Sequence, residues 1–374
     1  MSMQHPSVAI IDPVGAKAGL DQYNLSLLQE LKLLGCKVRL FSNFPHDGLQ
    51  QEPSSFFKYR EKQNLFSVLS LMNSYRKALT ISKQNKIEYL IFHIFHFNYF
   101  DEWVLRKAFL AGFKIILIIH DVESFVFKPN ADRLQRICGE YAFRLVVHNE
   151  FSKKELIKLF PPSVNRNITV IPHGNYATLA ESKITKDKAR TELAWDQSAK
   201  YILFFGMIKQ TKGLDVLLNA LPKTNPACKL VVAGRLRKHS FSIYNEIIRR
   251  EKLTGRILLK IHHISNEERN LLFSAADLIV LPYRKIYQSG ILLMAMSYGL
   301  PIIASRLPAM EEIVHHGENG YLFETGKVNQ LAEQINHLSE DPSLAKKLAG
   351  QAFSDSAKHH DWKSIAKAFY SLFS

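Results

Sequence analysis

Residues 277–305 read DLIVLPYRKIYQSGILLMAMSYGLPIIAS. The run DLIVLPY has the length and apolar continuity of a buried strand. Ser289 and Gly290 form a small-residue turn that opens an apolar segment over 291–298, and Gly299 stands where a left-handed closing residue is favoured. PIIAS then restarts as an extended run. Strand, helix and strand in this order form the unit of a parallel sheet.

The same alternation extends outward. YILFFGMI, GLDVLLNAL, CKLVVAG, IYNEIIRREK, ILLKIHH and NEERNLLFSAA precede the stretch as alternating strands and helices. The chain opens likewise, with SVAIID, the loop PVGAKAGLDQ, a helix YNLSLLQELKLLG carrying Leu25, Leu28, Leu31 and Leu34 at helical spacing, and CKVRLFS. Strands at IEYLIFHIF, KIILIIHD and RLVVHN follow, and the pattern pauses after ITVIPHG, in a polar stretch reaching about Lys200. The fold class expected is α/β, with two doubly wound Rossmann-like domains, 1–172 and 173–359, joined near 173–199. Ligands of such sheets sit beyond the carboxyl ends of the strands, so a cleft between the domains is the expected site.

A chain of 374 residues with 47% hydrophobic content can bury a large core and suits two soluble domains. No apolar run approaches a membrane span, and MSMQHPSVAIIDPVG has no signal-peptide pattern, so a cytoplasmic location is expected. Cys36, Cys138 and Cys228 lack metal-ligand spacing and read as buried thiols. The formal charge of +15 favours anionic partners: nucleic acid, a membrane surface or phosphorylated ligands. The basic excess is spread over both halves, without a recognition module or clustered basic and aromatic stripe, and this argues against nucleic acid.

Phosphate-binding loops explain the charge more locally. The start of the 291–298 helix offers unpaired amides and a positive dipole end, with small residues for close approach. In FFGMIKQTKGLDVLL, residues 204–218, a strand ends at Gly206, and Lys209 and Lys212 stand in the turn before the next helix. Two cations and a helix N-terminus, both at strand carboxyl ends, suit a diphosphate whose charge must be held as it leaves. GAKAG, from Gly15 to Gly19, has neither the dinucleotide-fingerprint spacing nor that of a P-loop.

VIPHG, FFGMIKQTKGLDVLLNAL, KLVVAGR, SNEERNLLFSAADLIVLPY, SGILLMAMSYGLPIIAS, EEIVHHGENGYLFETG and HDWKSIAKAFYSLF occur in the order and spacing of GT-B glycosyltransferases of the group-1, or family 4, type. The chain resembles a retaining enzyme of that class, strongly over 168–372 and more loosely before it. The resemblance implies that Lys212 holds the donor diphosphate, with Gly206, Lys209, Ser289, Gly290 and Ile291 around it. Met207 stands where many members have Arg, and Lys209 matches the cation of a subset. His120 matches an N-domain histidine facing the donor sugar; His120, Lys209 and Lys212 are therefore the catalytic candidates. Gly15 to Gly19 resembles a glycine loop that closes over donor and acceptor. Arg235, His262 in KIHHIS and Glu312 are candidate nucleotide or phosphate contacts, while His173 and Gly174 fall at the hinge.

The chain departs from the family at two glutamates, whose positions are taken by Ile286 and Met294; it is similar to a Ser-Gly variant in which backbone amides contact the phosphate. The implied reaction moves a sugar from a nucleotide-sugar, UDP- or GDP-linked, to a glycan or lipid-linked acceptor in cell-surface polysaccharide or glycolipid synthesis. No cofactor or metal is expected, since protein cations can hold the leaving charge. The alternative is a nonenzymatic GT-B protein that partners an active transferase. Residues 56–86 mix aromatics, leucines and Lys/Arg in an amphipathic pattern that fits either a packed surface helix or docking on anionic lipid at the inner face of the plasma membrane. Trp362, Ile365, Ala366 and Phe369 lie at helical spacing, and in the resembled fold this last helix, within 360–374, returns to the N-terminal domain.

Overall fold

The computed structural model describes residues 5–15, 20–44, 56–57, 65–95, 97–122, 131–160, 168–237 and 239–373. One sheet holds β1 (Ser7–Asp12), β2 (Lys37–Ser42), β3 (Tyr89–Ile94), β4 (Lys114–Ile119), β5 (Ala142–Val147) and β6 (Ile168–Val170), in the order β2-β1-β3-β4-β5-β6. The other holds β7 (Lys200–Phe205), β8 (Cys228–Ala233), β9 (Ile257–Lys260), β10 (Leu278–Leu281), β11 (Ile302–Ser305) and β12 (Tyr321–Phe323), in the order β12-β11-β10-β7-β8-β9. Each neighbouring pair is parallel. Strands β1, β10 and β11 are buried at every residue, which is why they read as unbroken apolar runs rather than alternating ones. The short β12 is not predicted by such a run; pairing with β11 extends it.

The chain divides into one unit of Met1–Gly174 with Asp361–Ser374, and a second of Asn175–His360. Both divisions fall one or two residues beyond the expected boundaries. In the first unit the helix Asp21–Leu33 buries Tyr23, Asn24, Leu27, Leu28 and Leu31. Leu25 and Leu34 of the expected stripe sit at its margin, and a polar residue, Asn24, occupies the core-facing row. The helix Trp362–Tyr370 joins the same core through Ile365, Ala366 and Phe369, followed by Leu372 and Phe373. Trp362 meets Tyr23 edge-on at 4.9 Å, and the Tyr89 hydroxyl donates to the Phe373 carbonyl. The C-terminal segment therefore completes the first unit's core.

The polar stretch 175–199 is not a linker. It packs onto the second unit, because Arg190 is buried and donates to the carbonyls of Ala275 (3.1 Å) and Gln197 (2.8 Å) and to the Asp277 carboxylate (2.6 Å). Asp277 also accepts from the Tyr201 amide at 2.7 Å, so the pair is anchored to β7. Replacing Arg190 by Leu leaves this carboxylate with the Tyr201 amide and the half-exposed Lys186 and is expected to cost about 3 kcal/mol, readable as a lowered denaturant midpoint. An unchanged midpoint would return the segment to a loosely attached linker.

Cys36, Cys138 and Cys228 are free and buried. No helix among the described residues is long and apolar enough to cross a membrane. Part of the amphipathic segment 56–86 lies outside the described residues; its remainder forms the helix Leu65–Gln84, on which Val68 and Leu69 are exposed.

Candidate functional site

In the second unit, β7 and β10 are hydrogen-bonded neighbours, so the loops leaving their carboxyl ends are adjacent. The first passes through Gly206 and a turn of 3-10 helix, Gln210–Lys212, and reaches Gly213, which opens the helix Leu214–Ala220. The second runs from Pro282 to Ser289 and opens the helix Gly290–Tyr298. Glycine is required where these loops meet. Gly213 has φ +66°, and a Cβ there would collide with the Pro282 carbonyl. Gly206 has φ +103°, and its Cβ would strike Ile291 Cδ1.

Charge fastens the two loops as well. Arg284 forks onto the carboxylate of Asp215, with contacts of 2.7 and 2.5 Å, and donates to the Gln210 carbonyl at 3.1 Å, while its own amide reaches the Thr211 carbonyl at 2.8 Å. Sequence reading missed this clamp, since Arg284 and Asp215 each look like surface charges. Lys212 Nζ lies 3.6 Å from the centre of the Tyr283 ring, a cation over an aromatic face. Lys209 caps the same turn, its backbone carbonyl accepting from the Lys212 amide at 2.9 Å.

At the helix start, Ser289 is buried and its hydroxyl accepts from the Leu292 amide at 3.3 Å. Among the described residues no hydrogen bond takes up the amides of Gly290 and Ile291. A Cβ on Gly290 would come within 2.6 Å of the Tyr176 hydroxyl. Tyr283 Oη and Gln288 Nε2, both buried in this loop, lack a hydrogen-bond partner of proper geometry. Burial pushes the Tyr283 phenol above its ordinary range, with the Ser289 hydroxyl opposing the shift, so it stays a neutral donor. Amides, hydroxyl and lysines together form a set of donors and cations suited to an anionic oxygen cluster.

The remaining candidates are not all brought here. Arg235 is exposed just beyond β8, and its carbonyl accepts from the Ile208 amide at 2.8 Å. Arg237, which the motif reading passed over, reaches the Met207 sulfur at 3.5 Å. His262 is drawn instead to Glu268, 3.0 Å away, and Lys260 joins that carboxylate at 2.8 Å. Desolvation raises the Glu268 carboxyl, but Lys260 and His262 outweigh it and hold it below its usual range. Glu312 is exposed at the end of the short helix Pro308–Glu311. Ile286 is partly buried and Met294 buried against the core of this unit, so neither stands in for a carboxylate.

In the first unit the carboxyl ends of the strands carry polar side chains that the apolar runs obscured. Asp12 ends β1, His93 lies in β3, and His120, His148 and His173 follow β4, β5 and β6. All but His93 are buried to 6% exposure or less. Tyr23 is the hub of the group, with ring centres 5.3 Å from His93, 6.3 Å from His120, 5.6 Å from His148 and 5.0 Å from His173. Burial, with His148 adding to it, pushes His93 down to about 3; burial and the neighbouring histidines likewise hold His120 well below its usual range. His93 and His120 are therefore neutral rings at physiological pH. A Cβ on Gly15 would approach Asp12 Oδ2 and Phe44 to 2.6 Å each, so the loop after β1 packs directly on the carboxylate. Gly19 lies outside the described residues.

Residues 185–355 match the family model described as glycosyl transferases group 1. The matched span is a little under half of the chain. Lys209, Lys212 and Ser289 all fall inside the matched span. Spore coat protein SA of Bacillus subtilis is 23% identical over 279 residues, covering 69% of this chain and 71% of that one. The chain spans 45% and 55% of the lengths of two other curated relatives. Among solved structures, sucrose-phosphate synthase from Thermosynechococcus elongatus superposes with a TM-score of 0.77 at 19% identity, over 99% of this chain and 98% of its own. Anabaena Alr3699/HepE in complex with UDP-glucose does so with a TM-score of 0.73 at 17% identity, over 98% and 99%. These likenesses show the GT-B fold.

Proposed function

We propose that the protein is a glycosyltransferase that moves a sugar from a nucleoside-diphosphate donor, UDP-linked in the first instance, to a glycan or lipid-linked hydroxyl with retention of anomeric configuration. The observation that carries the reading is the union of the Lys209–Lys212 turn with the Ser289 helix start at the ends of neighbouring strands. Lys209, Lys212 and the amides of Gly290 and Ile291 receive the diphosphate, and Tyr283 and Gln288 bring donors that lack partners of their own. The UDP-glucose complex of the structural neighbour supports the choice of donor class.

In the reaction proposed, the bond from the anomeric carbon to the diphosphate oxygen breaks as the acceptor oxygen bonds to that carbon from the same face. The acceptor proton passes to the departing phosphate. The protein holds the charge that develops there, which is where fixed cations and amides act most strongly. This scheme requires no metal step.

The test is turnover of a panel of UDP-, GDP-, ADP- and dTDP-sugars with glycan and polyprenyl-phosphate acceptors, the product's anomeric proton being read by NMR. One selective donor and a retained configuration are expected; inversion would remove the mechanism, and silence across the panel would favour a nonenzymatic partner role. For the acceptor side we propose loose docking on anionic lipid through the basic amphipathic 65–84 helix, with Val68 and Leu69 entering the interface. Binding to phosphatidylserine vesicles is expected at low salt and lost as salt rises. Absence of binding at low salt would refute the docking.

A further inference from the structure

The buried polar edge of the first unit contains a continuous chain of hydrogen bonds whose direction can be read atom by atom. Asp12 Oδ1 accepts from the Val14 amide at 3.0 Å, so Oδ2 faces Asn24, 2.6 Å from Nδ2. Asn24 is fully buried and presents its Oδ1 to His93 Nε2 at 2.7 Å. An amide oxygen accepts and does not donate, so His93 carries its hydrogen on Nε2. His93 Nδ1 is then an acceptor, and it lies 2.8 Å from His120 Nε2. His120 Nε2 must donate. The chain therefore leaves His120 with a hydrogen on Nε2 and a bare lone pair on Nδ1.

We propose that Asp12, Asn24 and His93 are positioning residues that fix the tautomer of His120, so that its Nδ1 accepts a hydrogen bond from a substrate hydroxyl. The proposal rests on the transferase reading in giving His120 a substrate, but the tautomer itself follows from the chain alone. The rings around His120 help to hold its plane: Phe95 stacks on it at 4.6 Å with an interplanar angle of 11°, and Tyr23 and His148 pack at 6.3 and 5.2 Å. Among the described residues, the titratable groups that face it include Asp21 and Tyr75 near Asp12, and His148 and His173 near the two histidines.

A carboxylate is needed at position 12 because both of its oxygens accept. In Asp12→Asn the Val14 amide still requires an oxygen, which turns the new NH2 group towards Asn24. Asn24 must then present its oxygen to position 12 and its own NH2 to His93 Nε2. His93 becomes an acceptor at Nε2 and a donor at Nδ1, and His120 is left to accept at Nε2 and carry hydrogen on Nδ1. One near-isosteric change thus reverses every bond without removing one. Protonation of Asp12 acts in the same direction. Burial raises its carboxyl to about 6, with the charge of Asp21 adding to the shift and the Val14, Asn24 and Gly15 contacts opposing it.

Selective 15N-histidine labelling of the full chain reads this without turnover, His93→Gln and His120→Gln serving for assignment. Near neutral pH the wild type is expected to show a pyrrole-type signal at Nε2 and a pyridine-type signal at Nδ1 for both rings. In Asp12→Asn the two signals are expected to exchange positions in both. A wild-type His120 with hydrogen on Nδ1 would overturn the proposal, as would an Asp12→Asn spectrum in which both rings keep Nε2–H. If Asp12→Asn fails to fold, the wild-type spectrum decides alone. Exchange of the tautomers on substitution, beside a wild type that transfers no sugar, would support the hydrogen-bond chain and defeat the transferase reading instead.

Discussion

Lys212→Ala is expected to lower sugar transfer by about 10²–10³-fold while leaving the fold intact. The side chain ends over the face of Tyr283, at the carboxyl end of β10. Its removal takes a cation from the point where the diphosphate gathers charge, so the larger loss is predicted in kcat and the smaller in KM. Lys212→Arg, which keeps the charge but changes its shape, is predicted to recover part of the loss. Steady-state kinetics beside a thermal melt separate the two effects. Equal turnover in wild type and Lys212→Ala would remove the lysine from the donor site, and a collapsed melt would make its role structural.

Gly213→Ala is expected to damage stability and donor binding together. The residue has a left-handed backbone, and an added Cβ would enter the Pro282 carbonyl. Strain and overpacking together suggest a cost of about 2–5 kcal/mol. Because Pro282 precedes Tyr283 and Gly213 follows Lys212, relief of the clash must part the aromatic face from the cation. Gly255→Ala is the control, since its Cβ would meet nothing within 4 Å. Denaturant midpoints and nucleotide titrations of both variants test this. A Gly213→Ala chain with normal stability and affinity would show that the two loops need no close approach.

The strands were legible because a parallel sheet covered on both faces leaves runs such as IILII and LIVL with no solvent side to record. The 290–298 helix was legible from its ends, Ser289 as the cap and Gly299 in the left-handed conformation. The histidine edge was harder to see. Asp12, His93, His120, His148 and His173 are separated by tens of residues and become neighbours through strand order alone, although each stands at or near the end of an apolar run. Asn24 sat in a row read as leucines. Arg284 and Asp215 are 69 positions apart, and no local pattern links them. The pairing of His262 with Glu268 was also hidden, since nothing in KIHHIS marks a carboxylate six positions on as its partner.

The central claim is that the Lys212 turn and the Ser289 helix start form one diphosphate site. Calorimetric titration of UDP into the full chain, with Lys212→Ala beside it, tests that most directly. The wild type is expected to bind, Lys212→Ala to bind at least about tenfold more weakly, and the difference to narrow as salt rises. Identical affinity in the two proteins, or no binding of UDP, GDP, ADP or dTDP by the wild type, would contradict it.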